Sequence, residues 1–222
     1  MFNGLIREIA SVRSFDGKTL SLKAQHRPNL GDSIAVNGAC LSVVEIYNDG
    51  FSVELSSESS KVLALENLSG RVHIEPAMKI GERIDGHLLQ GHIDAIGVIK
   101  SIKSLATGVD FIIELPKQIL HLVANKGAIA VEGVSLTVNE INGNQMRLTL
   151  IPISMKDTLF GEFKVGRRVH IESDILARYI DRILSVKGAE FGGFGGAEFG
   201  GVKGGESEAL TWQKADFYAS IY

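Results

Sequence analysis

Asn37-Gly38-Ala39-Cys40-Leu41-Ser42-Val43 returns in altered form as Glu132-Gly133-Val134-Ser135-Leu136-Thr137-Val138. In both stretches a glycine stands two residues before a small polar side chain, Cys40 or Ser135, and a leucine, a hydroxyl residue and a valine follow. A strand alternates its faces with period two, so Cys40 and Ser42 point one way and Leu41 and Val43 the other. The same holds for Ser135 and Thr137. Each glycine lets another group approach the backbone closely.

The surroundings repeat as well. Arg71-Val72-His73-Ile74-Glu75 recurs letter for letter as Arg168-Val169-His170-Ile171-Glu172, and Leu55 to Ser59 falls where Leu150 to Ser154 falls in the second copy. A period of nearly one hundred residues marks a duplicated domain rather than a solenoid repeat.

Short alternating segments dominate both copies, such as Leu20-Ser21-Leu22-Lys23-Ala24 and Met146-Arg147-Leu148-Thr149-Leu150, with turn residues such as Asn48-Asp49-Gly50 between them. The chain therefore reads as all-β, closed either as barrels or as sandwiches. Short helices are expected over Ser60 to Leu68, ended by Gly70, and over Pro116 to Val123. From Asp174 the period becomes helical: Ile175, Leu176, Tyr179, Ile180, Ile183 and Leu184 share one stripe, which either packs on its own barrel or meets another subunit. Past Lys187 lie nine of the 25 glycines, so residues 188–222 read as a flexible tail.

The 222 residues, 45% of them hydrophobic, suffice for two cores, and the net charge of −3 gives no basic excess to suit nucleic acid. A single cysteine excludes an internal disulfide and fits a reducing compartment. No apolar run approaches the roughly 20 residues of a membrane helix, so no membrane partner is expected. The first residues are too charged for a signal peptide, and the expected location is cytoplasmic.

Between the copies lies Asp85-Gly86-His87-Leu88-Leu89-Gln90-Gly91-His92-Ile93-Asp94. Histidines five apart do not share a helix face, and no cysteine cluster completes a metal shell, so no metal is expected. His92 is read as a donor or proton carrier and His87 as a structural histidine. Cys40 alone could be a small buried hydrophobe. Its match to Ser135 argues instead that both face a ligand. Neither a G-x-S-x-G elbow nor a phosphate-binding glycine loop is present.

Met1-Phe2-x-Gly4, the stretch from Asn37 to Val43, the glycine-histidine pairs Gly86-His87 and Gly91-His92, and Lys126-Gly127 followed by Gly133 to Val138 together resemble riboflavin synthase, the α-chain type with two lumazine-binding domains. The resemblance runs from residue 1 to about 185. It implies two tandem six-stranded Greek-key β-barrels related by internal duplication and followed by a C-terminal α-helix. The corresponding division is 1–90, 91–173, a helix at 174–187 that makes the oligomer contact, and the tail. It also implies a homotrimer, an association with lumazine synthase, no cofactor, and dismutation of two 6,7-dimethyl-8-ribityllumazine molecules. One gives four carbons to the other, yielding riboflavin and 5-amino-6-ribitylamino-uracil.

By matched position, the resemblance puts Gly4, Leu5, Ile6, Cys40, Leu41, Ser42, Glu54, Leu55, Ser56, Ser57, Glu58 and Ser59 around a first pocket. Gly91, His92, Ile93, Lys126, Ser135, Leu136, Thr137, Thr149, Leu150, Ile151, Pro152, Ile153 and Ser154 surround a second. Its catalytic residues fall on Phe2, Ser33, Cys40, His92, Ser135 and Thr137, with Asp174 near the subunit contact. A reaction between two copies of one molecule suits two copies of one domain, provided they differ. Cys40 against Ser135, and Lys126 without a counterpart, supply that difference. The alternative is a non-catalytic lumazine- or flavin-binding antenna. Such proteins share the barrels but degrade one pocket's polar set, and both sets are intact here.

Overall fold

Strand alternation and turn chemistry produce two barrels of the same design. In the computed structural model, which describes residues 1–191 with side chains through Val186, the first barrel comprises β1 (Glu8–Phe15), β2 (Thr19–Lys23), β3 (Ser33–Val36), β4 (Ala39–Tyr47), β5 (Gly50–Glu54) and β6 (Arg71–Pro76). The second comprises β7 (Ala95–Leu105), β8 (Gly108–Glu114), β9 (Ala128–Val131), β10 (Val134–Asn142), β11 (Gln145–Leu150) and β12 (Arg168–Ser173). The first closes in the order β1-β2-β5-β4-β3-β6, and the second repeats that order strand for strand. Closure leaves neither sheet with an open edge.

Bulges fall at matched places, after Val12 and Val43 in one barrel and after Ile99 and Val138 in the other. An extra residue there increases the local bend and helps short strands curl shut. Alternate residues fill the interiors: Leu20, Leu22, Phe51, Val53 and Val72 in the first, Phe111, Ile113, Ile129, Met146 and Val169 in the second, all fully buried. A third, small core cluster joins Phe2, Ala35, Leu89 and Ala130, with Cys40 packed against it.

The helices depart from expectation. The segment from Ser60 to Leu68 splits into a short helix α1 (Ser59–Val62) and a 3-10 turn (Leu65–Asn67). The break has a tertiary cause, since the N–H of Ala64 donates to Nε2 of His170 at 2.9 Å. The segment after Pro116 is a 3-10 helix, Lys117–Leu122. A helix not expected from the sequence, α2 (Pro152–Asp157), has proline in its first turn and is followed by a 3-10 turn at Leu159–Glu162. The last helix, α3 (Ile175–Phe191), is capped by Asp174, whose Oδ1 accepts the N–H of Leu176 at 2.9 Å. It passes Lys187, where composition alone ends it; the rest of the glycine-rich stretch, 192–222, lies outside the described residues.

The apolar stripe of α3 does not pack on its own barrel: Leu176, Tyr179, Ile180 and Ile183 are each more than half exposed. No helix among the described residues is long and apolar enough to cross a membrane.

Candidate active site

The glycine stretches begin with matched hairpin turns. Asn37 and Gly38 join β3 to β4 with φ of 46° and 88°, and Glu132 and Gly133 join β9 to β10 with φ of 51° and 79°. Two positive φ values in succession are the signature of a type I′ turn. Each turn is bound to its own barrel's repeated pentapeptide: the N–H of His73 donates to Oδ1 of Asn37 at 2.8 Å, and the N–H of His170 to Oε1 of Glu132 at 2.7 Å.

The pentapeptide histidines then reach across to the other barrel. Nδ1 of His73 lies 2.9 Å from the carbonyl oxygen of Glu132, and Nδ1 of His170 lies 2.9 Å from that of Asn37. Their Nε2 atoms accept the N–H groups of Leu159 and Ala64. A ring nitrogen that accepts an N–H carries no proton, so Nδ1 is the protonated nitrogen and each ring is neutral. Burial agrees, pushing His73 down to about 4.

The pentapeptide glutamates clamp the two glycine loops. Glu75 accepts the N–H groups of Asn3 and Gly4 at 2.8 and 3.1 Å, and Glu172 those of Gln90 and Gly91 at 2.8 and 3.0 Å. Burial pushes Glu75 up to about 7 against the pull of those donors, and it raises Glu172 as well. The clamped loops seat on the opposite half. Ser135 donates its N–H to the carbonyl of Gly4 at 2.9 Å, and Cys40 donates to the carbonyl of Gly91 at 2.9 Å. A Cβ on Gly4 would stand 2.5 Å from Cβ of Ser135, and one on Gly91 2.5 Å from Cβ of Cys40. Only glycine fits either place, at φ of 77° in both.

This crossing corrects the grouping expected above. Gly4, Leu5 and Ile6 belong with Ser135, Ile153 and Ser154 around a cleft of about 320 Å³. Gly91, and with it the chain through His92 and Ile93, abuts Cys40 instead. His87 also departs from its structural reading: its Nδ1 is 2.7 Å from Oγ of Ser135, and its buried Nε2 has no partner among the described residues. Burial lowers its pKa, with the nearby Asp174 pulling the other way. His87 lies on no regular element, so periodicity gave no direction for its ring. The only hint in the sequence was Gly86, where a Cβ would meet the Asn3 carbonyl and Ser135.

The remaining expected residues divide by exposure. Ser33 pairs with Ser42 and Ser42 with Glu54, a polar row across β3, β4 and β5 on one face. In the second barrel Ala128 faces Thr137, so the two strand faces differ at that row too. Oγ of Ser56 and Ser59 lie 2.9 Å apart at the start of α1, with Ser57 and Glu58 exposed beside them. Ile151 and Pro152 are exposed, and Thr149 donates to Asp110 at 2.6 Å. Lys126 is exposed with φ of 64°, where the first barrel has Gly31 at 84°. A lysine in this left-handed region is strained where the glycine is not.

Four side chains lie apart from the clefts. Phe2, two residues before Gly4, is buried between the barrels and bridged to Leu89. Leu41, Leu55 and Leu150 point into the cores, leaving only their backbone for contact; Leu136 is partly buried against the second core. Among the described residues no three His, Cys, Asp or Glu side chains are grouped to hold a metal ion.

Two barrels of one design, in which the Gly4 loop seats on Ser135 and the Gly91 loop on Cys40, define the class. The lumazine binding domain family matches residues 3–77 and again 90–174. Riboflavin synthase of Photobacterium phosphoreum is 34% identical over 200 residues, covering 86% of this chain and 92% of that protein. The Brucella abortus enzyme of that name is 36% identical over 197 residues, 82% and 98% of the two chains, and that of Bacillus subtilis 33% over 193 residues, 83% and 90%. The chain belongs to the riboflavin synthase family. LumP solved in complex with 6,7-dimethyl-8-(1'-D-ribityl) lumazine has the same fold, with a TM-score of 0.69 at 18% identity over 78% of this chain and 99% of that one. LumP with riboflavin gives 0.70 at 20% identity over the same shares.

Proposed function

We infer that this chain is a transferase that dismutates 6,7-dimethyl-8-ribityllumazine. A four-carbon unit passes from one molecule to a second, giving riboflavin and 5-amino-6-ribitylamino-uracil. The observation that carries this reading is the pair of matched strand faces, alike in plan yet unlike in chemistry. Cys40, Ser42, Ser33 and Glu54 lie on one, Ser135, Thr137 and Ala128 on the other, and each is met by a glycine loop. A donor and an acceptor of the same structure call for such an arrangement.

The chemistry requires a proton to leave a ring methyl group and the carbon so exposed to add to the second ring. His87, held neutral by burial and hydrogen-bonded to Ser135, can take up such a proton. Cys40 and His92, a thiol and an imidazole, are the side chains with which the other face can carry protons. Holding two flat rings face to face supplies much of the acceleration, since effective molarities reach on the order of 10⁵ M.

The same reading makes residues 1–90 and 91–173 the two binding domains and the helix from 174 the contact of a homotrimer. The exposed stripe of Leu176, Tyr179, Ile180 and Ile183 supports that contact, because such a surface is seldom left in water. The working site then lies between chains, with the Cys40 cleft of one subunit facing the Ser135 cleft of its neighbour. A cytoplasmic location and an association with lumazine synthase belong to this reading, the latter testable by co-sedimentation.

Incubating the purified chain with the lumazine and following riboflavin formation tests the reaction; a stable complex without riboflavin would make the protein an antenna. Mixing tests the inter-chain site. Cys40 and the His92 loop share one cleft, so lesions there cannot complement one another. Cys40→Ala and Ser135→Ala can, because a reassembled trimer brings the intact Cys40 cleft of one variant against the intact Ser135 cleft of the other. Partial recovery is expected. No recovery in mixed trimers confirmed by mass would place both clefts of a working site in one chain.

A further inference from the structure

The two glutamate clamps are not supplied with charge in the same way. In the first barrel Arg7, three residues after Gly4, stabilises the charge on Glu75. The position three after Gly91 is Asp94, of the opposite sign. Asp94 turns instead to Ser173, accepting its N–H at 2.7 Å and its hydroxyl at 2.6 Å. A second carboxylate beside the buried Glu172, which is 2% exposed, would by itself favour a protonated clamp.

The missing cation comes from the C-terminal helix. Nη2 of Arg178 stands 3.2 Å from Oε1 of Glu172, and Nη1 stands 3.4 Å from Oδ1 of Asp94. Nε of Arg178 is buried without a hydrogen-bond partner among the described residues, so the guanidinium is drawn in by these two carboxylates alone. We propose that Arg178 is a positioning residue: from α3 it keeps Glu172 ionised and in place, so that Glu172 seats the Gly91–His92 loop on Cys40. The effect on turnover rests on reading Cys40 and His92 as site residues; the effect on the loop does not.

The physical chain is short. Both oxygens of an ionised Glu172 accept, one from Gln90 and one from Gly91. Burial works against that charge, and Arg178 works for it together with the backbone donors of Gln90, Gly91 and His92. Without the guanidinium the balance moves toward the protonated carboxyl, in which one oxygen becomes a donor facing an N–H, and the clamp weakens. The loop then loosens where Cys40 bonds the Gly91 carbonyl. The helix whose outer face awaits another subunit thus holds, with its inner face, the backbone of a cleft.

The test compares Arg178→Met and Arg178→Gln, either of which removes the charge should the other fail to fold, with Arg178→Lys, which keeps it. Hydrogen–deuterium exchange is read on the segment carrying Gln90 and Gly91, with Asn3 and Gly4, clamped by Glu75, as the internal reference. Neutral variants are expected to accelerate exchange at Gln90 and Gly91 on the order of tenfold, with the reference unchanged. They are also expected to raise KM about tenfold with a smaller change in kcat, and Arg178→Lys to restore both. Equal acceleration at both clamps, or none at Gln90 and Gly91, would overturn the proposal. If the wild-type chain forms no riboflavin while the exchange pattern holds, the functional reading fails and the positioning role stands.

Discussion

Gly38 and Gly133 meet face to face where the barrels touch: a Cβ on Gly38 would lie 2.7 Å from the backbone nitrogen of Gly133, and one on Gly133 would lie 2.7 Å from that of Gly38. The reciprocity marks a local two-fold relation between the halves. His73 and His170 then straddle this contact with matching bonds of 2.9 Å.

Gly38→Ala should therefore cost more than its turn. Positive φ alone costs an alanine about 1–2 kcal/mol, and forcing a methyl into the facing backbone adds about 1–3 kcal/mol. Gly143 has φ of 60° and nothing within 4 Å, so Gly143→Ala should show the first cost only. Denaturant unfolding of the two variants checks this. Equal losses would mean that the barrels part freely at this point.

Acid should weaken the fold through His73. Its pKa is about 4 in the fold against 6.5 ordinarily, so between these values the unfolded chain binds more protons and stability falls as pH falls. The full span is worth about 3 kcal/mol. Glu75, raised to about 7 from 4.5, has the opposite sign and loses stability as pH rises through that window. The unfolding free energies of wild type and His73→Gln should thus converge by about 3 kcal/mol from pH 7 to pH 4. A gap independent of pH would refute the buried, neutral ring.

His87 and Ser135 should behave as one device. Each alanine variant is expected to lower kcat about 10²-fold, and the double variant hardly further, because the hydrogen bond between them is lost either way. Steady-state kinetics of the three proteins decides it; a double variant near 10⁴-fold down would make the residues independent.

Lys126→Gly should separate stability from activity. The substitution relieves a left-handed lysine, φ 64°, and copies Gly31 of the other barrel, so it should stabilise by roughly 1 kcal/mol. Turnover should fall if the ammonium group holds substrate. A variant both more stable and fully active would remove Lys126 from the site.

The barrels were legible because two signals agree: strand alternation and a repeat that fixes which positions match. Val72 and Ile74 inside, His73 and Glu75 elsewhere, follow from period two alone. What was not legible lies between the halves. The seat of Gly4 on Ser135 depends on contacts over a hundred residues apart, and neither loop has a period that reveals its direction. The break after Val62 is likewise made by a histidine of the other barrel, against a local helical pattern. Glu132 conflicts with its own turn, since an I′ hairpin favours Asn or Gly. Its buried carboxylate explains the choice, accepting the N–H of His170 and the side-chain amide of Asn67 with Arg167 nearby.

The crossed loops have a consequence for inheritance. Because Gly4 serves the Ser135 half and Gly91 the Cys40 half, a substitution in either loop is felt in the half that does not encode it. Neither copy, once duplicated, could drift on its own. Each change in one had to be tolerated by a pocket encoded in the other, so the duplicate domains have remained bound to a shared history while their side chains diverged.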